Sequence, residues 1–218
     1  MTYGMYDSAA LASRITHDKK ALLRHINIYA EMAKEEALGS DALAEHMDRI
    51  IAKTTGVARL MDIQRMLDVF AEGALPLART ALHSIVSDVL EKHKDALSGF
   101  DVDVRGMAEV AGVPSYLAFA VQELLSNVEE FAAEGARVSI TLRQEPAPLL
   151  EVSHASSVVA GPEFFEPYAV GPGQKRPGAG LGLFMVAQIA AAHGGTCEAI
   201  DAYPEAFAVR LTLKPATA

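Results

Sequence analysis

The stretch PGAGLGLFMVAQIAAAHGG, Pro177 to Gly195, decides how the second half of this chain is read. Glycines at 178, 180 and 182 run straight into an apolar segment, which stops at His193-Gly194-Gly195. Glycine lets backbone N–H groups come close to an anion, and a helix N-terminus adds partial positive charge at the same place. The stretch therefore reads as a phosphate-accepting loop that opens a buried helix. A bare glycine triplet serves structural loops as readily, so the longer string Gly-Ala-Gly-Leu-Gly-Leu, followed by the apolar helix, carries the weight.

Outward from it the texture alternates. ALHSIVSDVLEKHKDAL (81–97) reads as an amphipathic helix, FDVDVRG (100–106) as a strand, and VPSYLAFAVQELLSNVEEFA (113–132) as a helix opened by Pro114. RVSITLRQ and LLEVSHAS read as paired strands, and GTCEAID and FAVRLTL as two closing strands. The sum is an α/β layer with helices on one face of a mixed sheet. Ahead of EGALP (72–76), residues 7–71 read as helix throughout, with Ile15, Leu22, Leu23, Ile26, Ala30 and Ala33 at helical spacing. Gly39 followed by Ser40 or Asp41 gives a stop and a fresh cap. The second helix has Leu43, Met47, Ile50, Ile51, Val57, Met61 and Leu67 on its apolar side. Two long helices and a short turn make an antiparallel hairpin. A lone hairpin leaves apolar surface in water, so a homodimer joined as a four-helix bundle is expected. Two domains follow, 1–74 and 75–218, in an α+β chain.

Composition narrows the function. A net charge of −9, with no cluster of Lys and Arg, argues against nucleic acid as a partner. No apolar run reaches the roughly 20 residues of a membrane-spanning helix, and MTYGMYDSAALASR lacks the pattern of an export signal. The single cysteine, Cys197, forms no internal disulfide, which suits a cytoplasmic location.

Four stretches, taken together, resemble the sensor histidine kinases and their relatives with the same ATP-binding fold. GAGLGLFM resembles their second glycine box, FFEPYAVG (164–171) their phenylalanine box, and ELLSNVEEFA (123–132) their asparagine-box helix. THDKKALLRHINIYAEM (16–32) resembles the phosphoacceptor box, a histidine and an acid on the first helix of a dimerising hairpin. The resemblance implies an α/β sandwich of the histidine-kinase ATPase type behind the hairpin. It makes His17 the phosphoacceptor, Asp18 its acid, and a response-regulator receiver domain the partner. It assigns Glu123, Asn127, Gly178, Gly180, Leu181 and Gly182 to a nucleotide site, with Asn127 also at the Mg²⁺ position. A lone helical histidine is usually a bystander, as His25, His46, His83, His93, His154 and His193 are read here. An imidazole attacks phosphorus well when a carboxylate takes up its proton.

The chain departs from that pattern at four places. Ala21 and Leu22 stand where many members have Thr or Asn and then a kinking proline. His154, followed by Ala155, Ser156 and Ser157, replaces the aspartate that reads the adenine amino group and the glycines that make room for the base. Glu130 reverses the charge of a phosphate-contacting lysine, which at contact distance costs on the order of a few kcal/mol. ATP and Mg²⁺ are thus the implied cofactors, at a site whose base-reading acid is missing. Three readings are open: a phosphotransfer protein on a degenerate kinase body, an ATP-using orphan histidine kinase, and a non-enzymatic pseudokinase regulator.

Overall fold

Apolar residues at helical spacing produce α1 (Ser8–Glu35) and α2 (Ser40–Glu72) in the computed structural model, which describes residues 8–35, 40–73, 75–155, 161–169, 179–202 and 206–216. The chain divides into two compact units, Met1–Ala74 and Leu75–Ala218. In the first, Lys19 donates to Gln64 Oε1, and the Arg49 guanidinium lies 5.7 Å over the Tyr29 ring. Early α1 meets late α2 and late α1 meets early α2, so the helices run antiparallel. Leu11 and Ile15 of α1, with Leu60, Ile63 and Met66 of α2, are buried. Leu23 (50% exposed), Ile28 (44%), Met47 (51%), Ile51 (61%) and Met61 (57%) are not. The apolar side expected for α2 is therefore only half covered within one copy, because one partner helix shields one flank.

The second unit runs β1 (Ala78–Ala81), α3 (Leu82–His93), β2 (Asp101–Arg105), β3 (Glu109–Gly112), α4 (Pro114–Phe131), β4 (Arg137–Arg143), β5 (Leu149–Ala155), α5 (Gly182–Ala192), β6 (Thr196–Ala202) and β7 (Ala206–Thr212). Five strands form one sheet in the order β2-β4-β5-β7-β6, with β2 and β4 parallel and the other neighbours antiparallel. β1 and β3 form a separate antiparallel pair. The sequence reading missed that pair, and its helix 81–97 ends at His93 in turns.

Strand alternation sorts the sheet's two faces. Val138, Ile140, Leu142, Leu150, Val152, His154, Phe207, Val209 and Leu211 are buried on the helix-covered face. On the other, Thr141, Glu151, Arg210 and Glu198 lie in one row across four strands. Arg210 donates to Glu151 at 2.8 Å, and hydrogen bonds from Arg105 and Arg137 hold the Asp103 carboxyl below its ordinary range. That face is built for water, and the core lies between the sheet and the helices.

α4 starts with Pro114, whose missing N–H is no loss in a first turn, and buries Leu117, Ala120, Val121, Leu124, Leu125 and Val128. α5 ends in a Schellman motif: Gly194 N–H donates to Ala191 O and Gly195 N–H to Ala190 O, with Gly194 at φ +68°. His193 ties the two helices together. Its Nδ1–H donates to the Ile189 carbonyl (2.7 Å), and its Nε2 accepts the Val113 N–H (3.0 Å) just ahead of α4. Only a neutral ring can do both, and burial pushes its pKa down. The unfolded chain takes up this proton near pH 6.5 and the folded chain only at lower pH, so the stability from a neutral His193 is complete above that value and lost as pH falls. Acidification from about pH 7.5 to about pH 5.5 is expected to lower the melting temperature of the second unit, and His193→Asn to flatten the slope. An unchanged slope in the variant assigns the acid sensitivity to other groups.

Candidate functional site

Glu123 and Asn127 lie one turn apart on α4 and so share a face. Glu123 is buried at 5% exposure, and Asn127 is half-buried. The Asn127 amide nitrogen is buried with no hydrogen-bond partner among the described residues. An unmet buried donor costs roughly 1–3 kcal/mol, which an acceptor such as a phosphoryl oxygen would recover. The same amide, turned over, offers the oxygen that a Mg²⁺ takes. Glu130 follows in the last turn, half-buried.

α5 packs against α4 and brings in the glycine loop. Gly180 sits at φ +62°, and a Cβ there would lie 2.6 Å from the Ala169 carbonyl oxygen and from the Tyr168 carbonyl carbon. Any side chain would strain the backbone and collide with it, so the glycine is obligatory. The Gly180 carbonyl accepts the Tyr168 N–H at 2.7 Å. Leu181, fully buried, starts the helix by accepting the Met185 N–H at 3.0 Å, and Gly182 follows. Gly178, together with Gly173, Gln174, Lys175 and Arg176, lies outside the described residues.

At the end of β5, His154 is 4% exposed, and its Nδ1 lies 3.1 Å from the Ala155 carbonyl. A carbonyl only accepts, so Nδ1 carries the proton, which leaves Nε2 as the one ring nitrogen that can accept. The ring lies 5.9 Å from Phe207, which meets Phe164 edge-on at 5.7 Å. A carboxylate in its place would accept from two partners at once. The unmet Asn127 donor could serve an anion, whereas His154 does not match the acid that the family pattern calls for.

In the first unit, His17 and Asp18 lie within α1; the His17 side chain is not among those described, Asp18 is half-buried, and Arg24 and His25 are exposed. Cys197 is no candidate nucleophile, because burial, aided by Glu198, pushes its thiol far up. Sequence reading missed Tyr168, whose φ is +68°. Its one signal was Pro167: Ala169 N–H donates to Glu166 O (3.2 Å), closing a turn with proline second and a left-handed residue third, the type II pattern.

Residues 112–217 match the family model described as histidine kinase-, DNA gyrase B- and HSP90-like ATPase. The sensor-like histidine kinase SenX3 of Mycobacterium tuberculosis is 26% identical over 199 residues, 84% of this chain and 48% of the relative. The histidine-protein kinase/phosphatase MprB of Mycobacterium ulcerans is 36% identical over 116 residues, 48% of this chain and 22% of the relative. The chain thus spans about half the length of SenX3 and less of MprB. The structure of the histidine kinase AdeS of Acinetobacter baumannii superposes with a TM-score of 0.72 at 14% identity, covering 91% of this chain and 97% of that one, which speaks for the fold alone. Among the described residues no helix is long and apolar enough to cross a membrane.

Proposed function

For this chain, similar to the two-component sensor histidine kinases and matching the histidine kinase-, DNA gyrase B- and HSP90-like ATPase family over residues 112–217, we infer a phosphotransfer role in two-component signalling. His17 receives a phosphoryl group from a receiver-domain aspartate in the cytoplasm and passes it to another. The neutral ring attacks through its unprotonated nitrogen, a P–N bond forms, and the acyl phosphate's P–O bond breaks with the receiver carboxylate leaving. Asp18 supplies the carboxylate that favours the resulting imidazolium proton. The observation that carries this reading is His154, a buried ring at the sequence position where the family pattern has the adenine-reading acid. Glu130 adds a repulsive charge on the helix that bears Asn127.

The orphaned Asn127 amide favours a second reading, an ATP-dependent kinase acting on His17. ATP with Mg²⁺ would supply the transferable phosphoryl group, held by Asn127 and the N–H groups at the start of α5. Calorimetry with MgATP separates the two. His154→Asp is expected to bind about tenfold or more tightly than the natural chain, the worth of one charge-assisted hydrogen bond. Equal, micromolar affinities in both would move the assignment to the kinase.

A second copy of the chain is the proposed cover for Leu23, Ile28, Met47, Ile51 and Met61. The antiparallel register puts Ile28 level with Ile51, and Met47, Ile51 and Met61 share one face of α2 at helical spacing. Leu23→Lys is expected to give monomers in sedimentation, since a buried unpaired ammonium costs several kcal/mol. A natural chain that is already monomeric at micromolar concentration contradicts the dimer.

A further inference from the structure

We propose that α2 carries a hinge at Thr54–Gly56, and that phosphoryl transfer at His17 requires the hairpin to bend there. The proposal rests on the reading above that His17 carries the phosphoryl group. Gly56 is the middle residue of the 33-residue α2. Glycine gives up more backbone freedom in a helix than any other residue, and only proline forms helix less well. Packing does not require it here. A Cβ at Gly56 would meet Leu22 Cδ1 at 3.9 Å, an ordinary van der Waals contact. Just ahead of it the exposed Thr54 hydroxyl shares its proton between the Ile50 carbonyl (3.0 Å) and the Ile51 carbonyl (2.9 Å). Such back-bonding competes with the helix's own hydrogen bonds and favours a bend. Thr55, β-branched and exposed, makes three poor helix formers in a row.

Packing changes at the same level. Leu22 of α1 stands opposite Gly56. Among the described residues, the buried apolar side chains of the hairpin are Leu11, Ile15, Leu60, Ile63 and Met66. All five lie on the side of that level where α1 begins and α2 ends. On the other side only His46 is buried among the described residues, while Leu23, Ile28, Met47 and Ile51 are exposed. A packed half therefore meets a loose half where α2 is weakest, and few buried contacts are what permit local opening. His17 belongs to the packed half, five residues or roughly 7.5 Å ahead of Leu22 along α1. A domain docked on that histidine covers on the order of 800 Å², a patch about 30 Å across, and so spans the hinge. The angle between the halves then decides whether its aspartyl phosphate lies in line with the imidazole nitrogen. A misplacement of about 1 Å is enough to cost on the order of a hundredfold in rate.

The test follows backbone amide exchange and receiver-to-His17 transfer in the full chain. Gly56→Ala restores a good helix former, and Thr54→Val removes the hydroxyl from an exposed site while keeping the side chain's shape. Exchange across residues 52–60 is expected to slow about fivefold in Gly56→Ala and to slow in Thr54→Val. Label transfer from a phosphorylated receiver should slow by a similar factor, because stiffening depopulates the bent form by the same amount. Sedimentation confirms that each variant keeps the oligomeric state of the natural chain. Slower exchange with unchanged transfer in both variants overturns the link to His17. Exchange at 52–60 that is no faster than in the rest of α2, and unchanged in Gly56→Ala, overturns the hinge. A natural chain that takes no label overturns the phosphotransfer reading instead, and the exchange result alone then decides the hinge.

Discussion

A His17→Gln chain is expected to take up no phosphoryl group from any donor, a loss of at least about three orders of magnitude in transfer rate. The amide of glutamine has a similar reach but no basic lone pair for attack on phosphorus. Glutamine is as good a helix former as histidine or better, so α1 should persist, and circular dichroism and the melting curve should not change. His25 is the internal control. It is exposed on the same helix, eight residues and roughly 12 Å further along. Loss of labelling in His17→Gln but not in His25→Gln isolates the acceptor. The opposite pattern would move the phosphoryl group two turns along the stem.

Gly180→Val carries the second largest expected effect, and it falls on stability and binding together. A branched side chain at φ +62° strains the backbone, and its Cβ meets the Ala169 and Tyr168 backbone at 2.6 Å, where no flexible side-chain end can give way. A loss of about 3 kcal/mol is expected, or a melting temperature lower by roughly 5–10 °C, with pyrophosphate binding abolished. Gly135→Ala separates strain from collision. Gly135 has φ +73° with nothing near the added Cβ, so only the backbone penalty of about 1 kcal/mol applies. Similar losses in the two variants would mean that the loop around Gly180 moves aside, and that its packing is softer than described.

The helices and long strands were legible because their burial is periodic. β4 and β5 alternate buried and half-buried residues, and α4 presents one apolar stripe. β1 and β3 have four residues each, ARTA and EVAG, too short for any period to show, and are held by pairing with each other. Met47, Ile51 and Met61 illustrate a different limit: periodicity marks an apolar position but not which neighbour covers it. At the site, glycine spacing pointed to Gly180, while the residue that fixes its carbonyl, Tyr168, acts through a backbone N–H that any residue but proline possesses. His193 was read as a bystander. Its role as a link between α4 and α5 depends on a contact across 80 residues, which no local pattern encodes.

The most direct measurement supplies the phosphoryl group from two sources in parallel. The full chain is incubated either with γ-labelled ATP and Mg²⁺ or with a phosphorylated receiver domain, and acid-labile label is traced to His17, with His17→Gln as the blank. The account predicts label from the receiver and none from ATP. Label on His17 from ATP would contradict it in favour of an active kinase, and no label from either source would remove phosphoryl transfer from the protein's function.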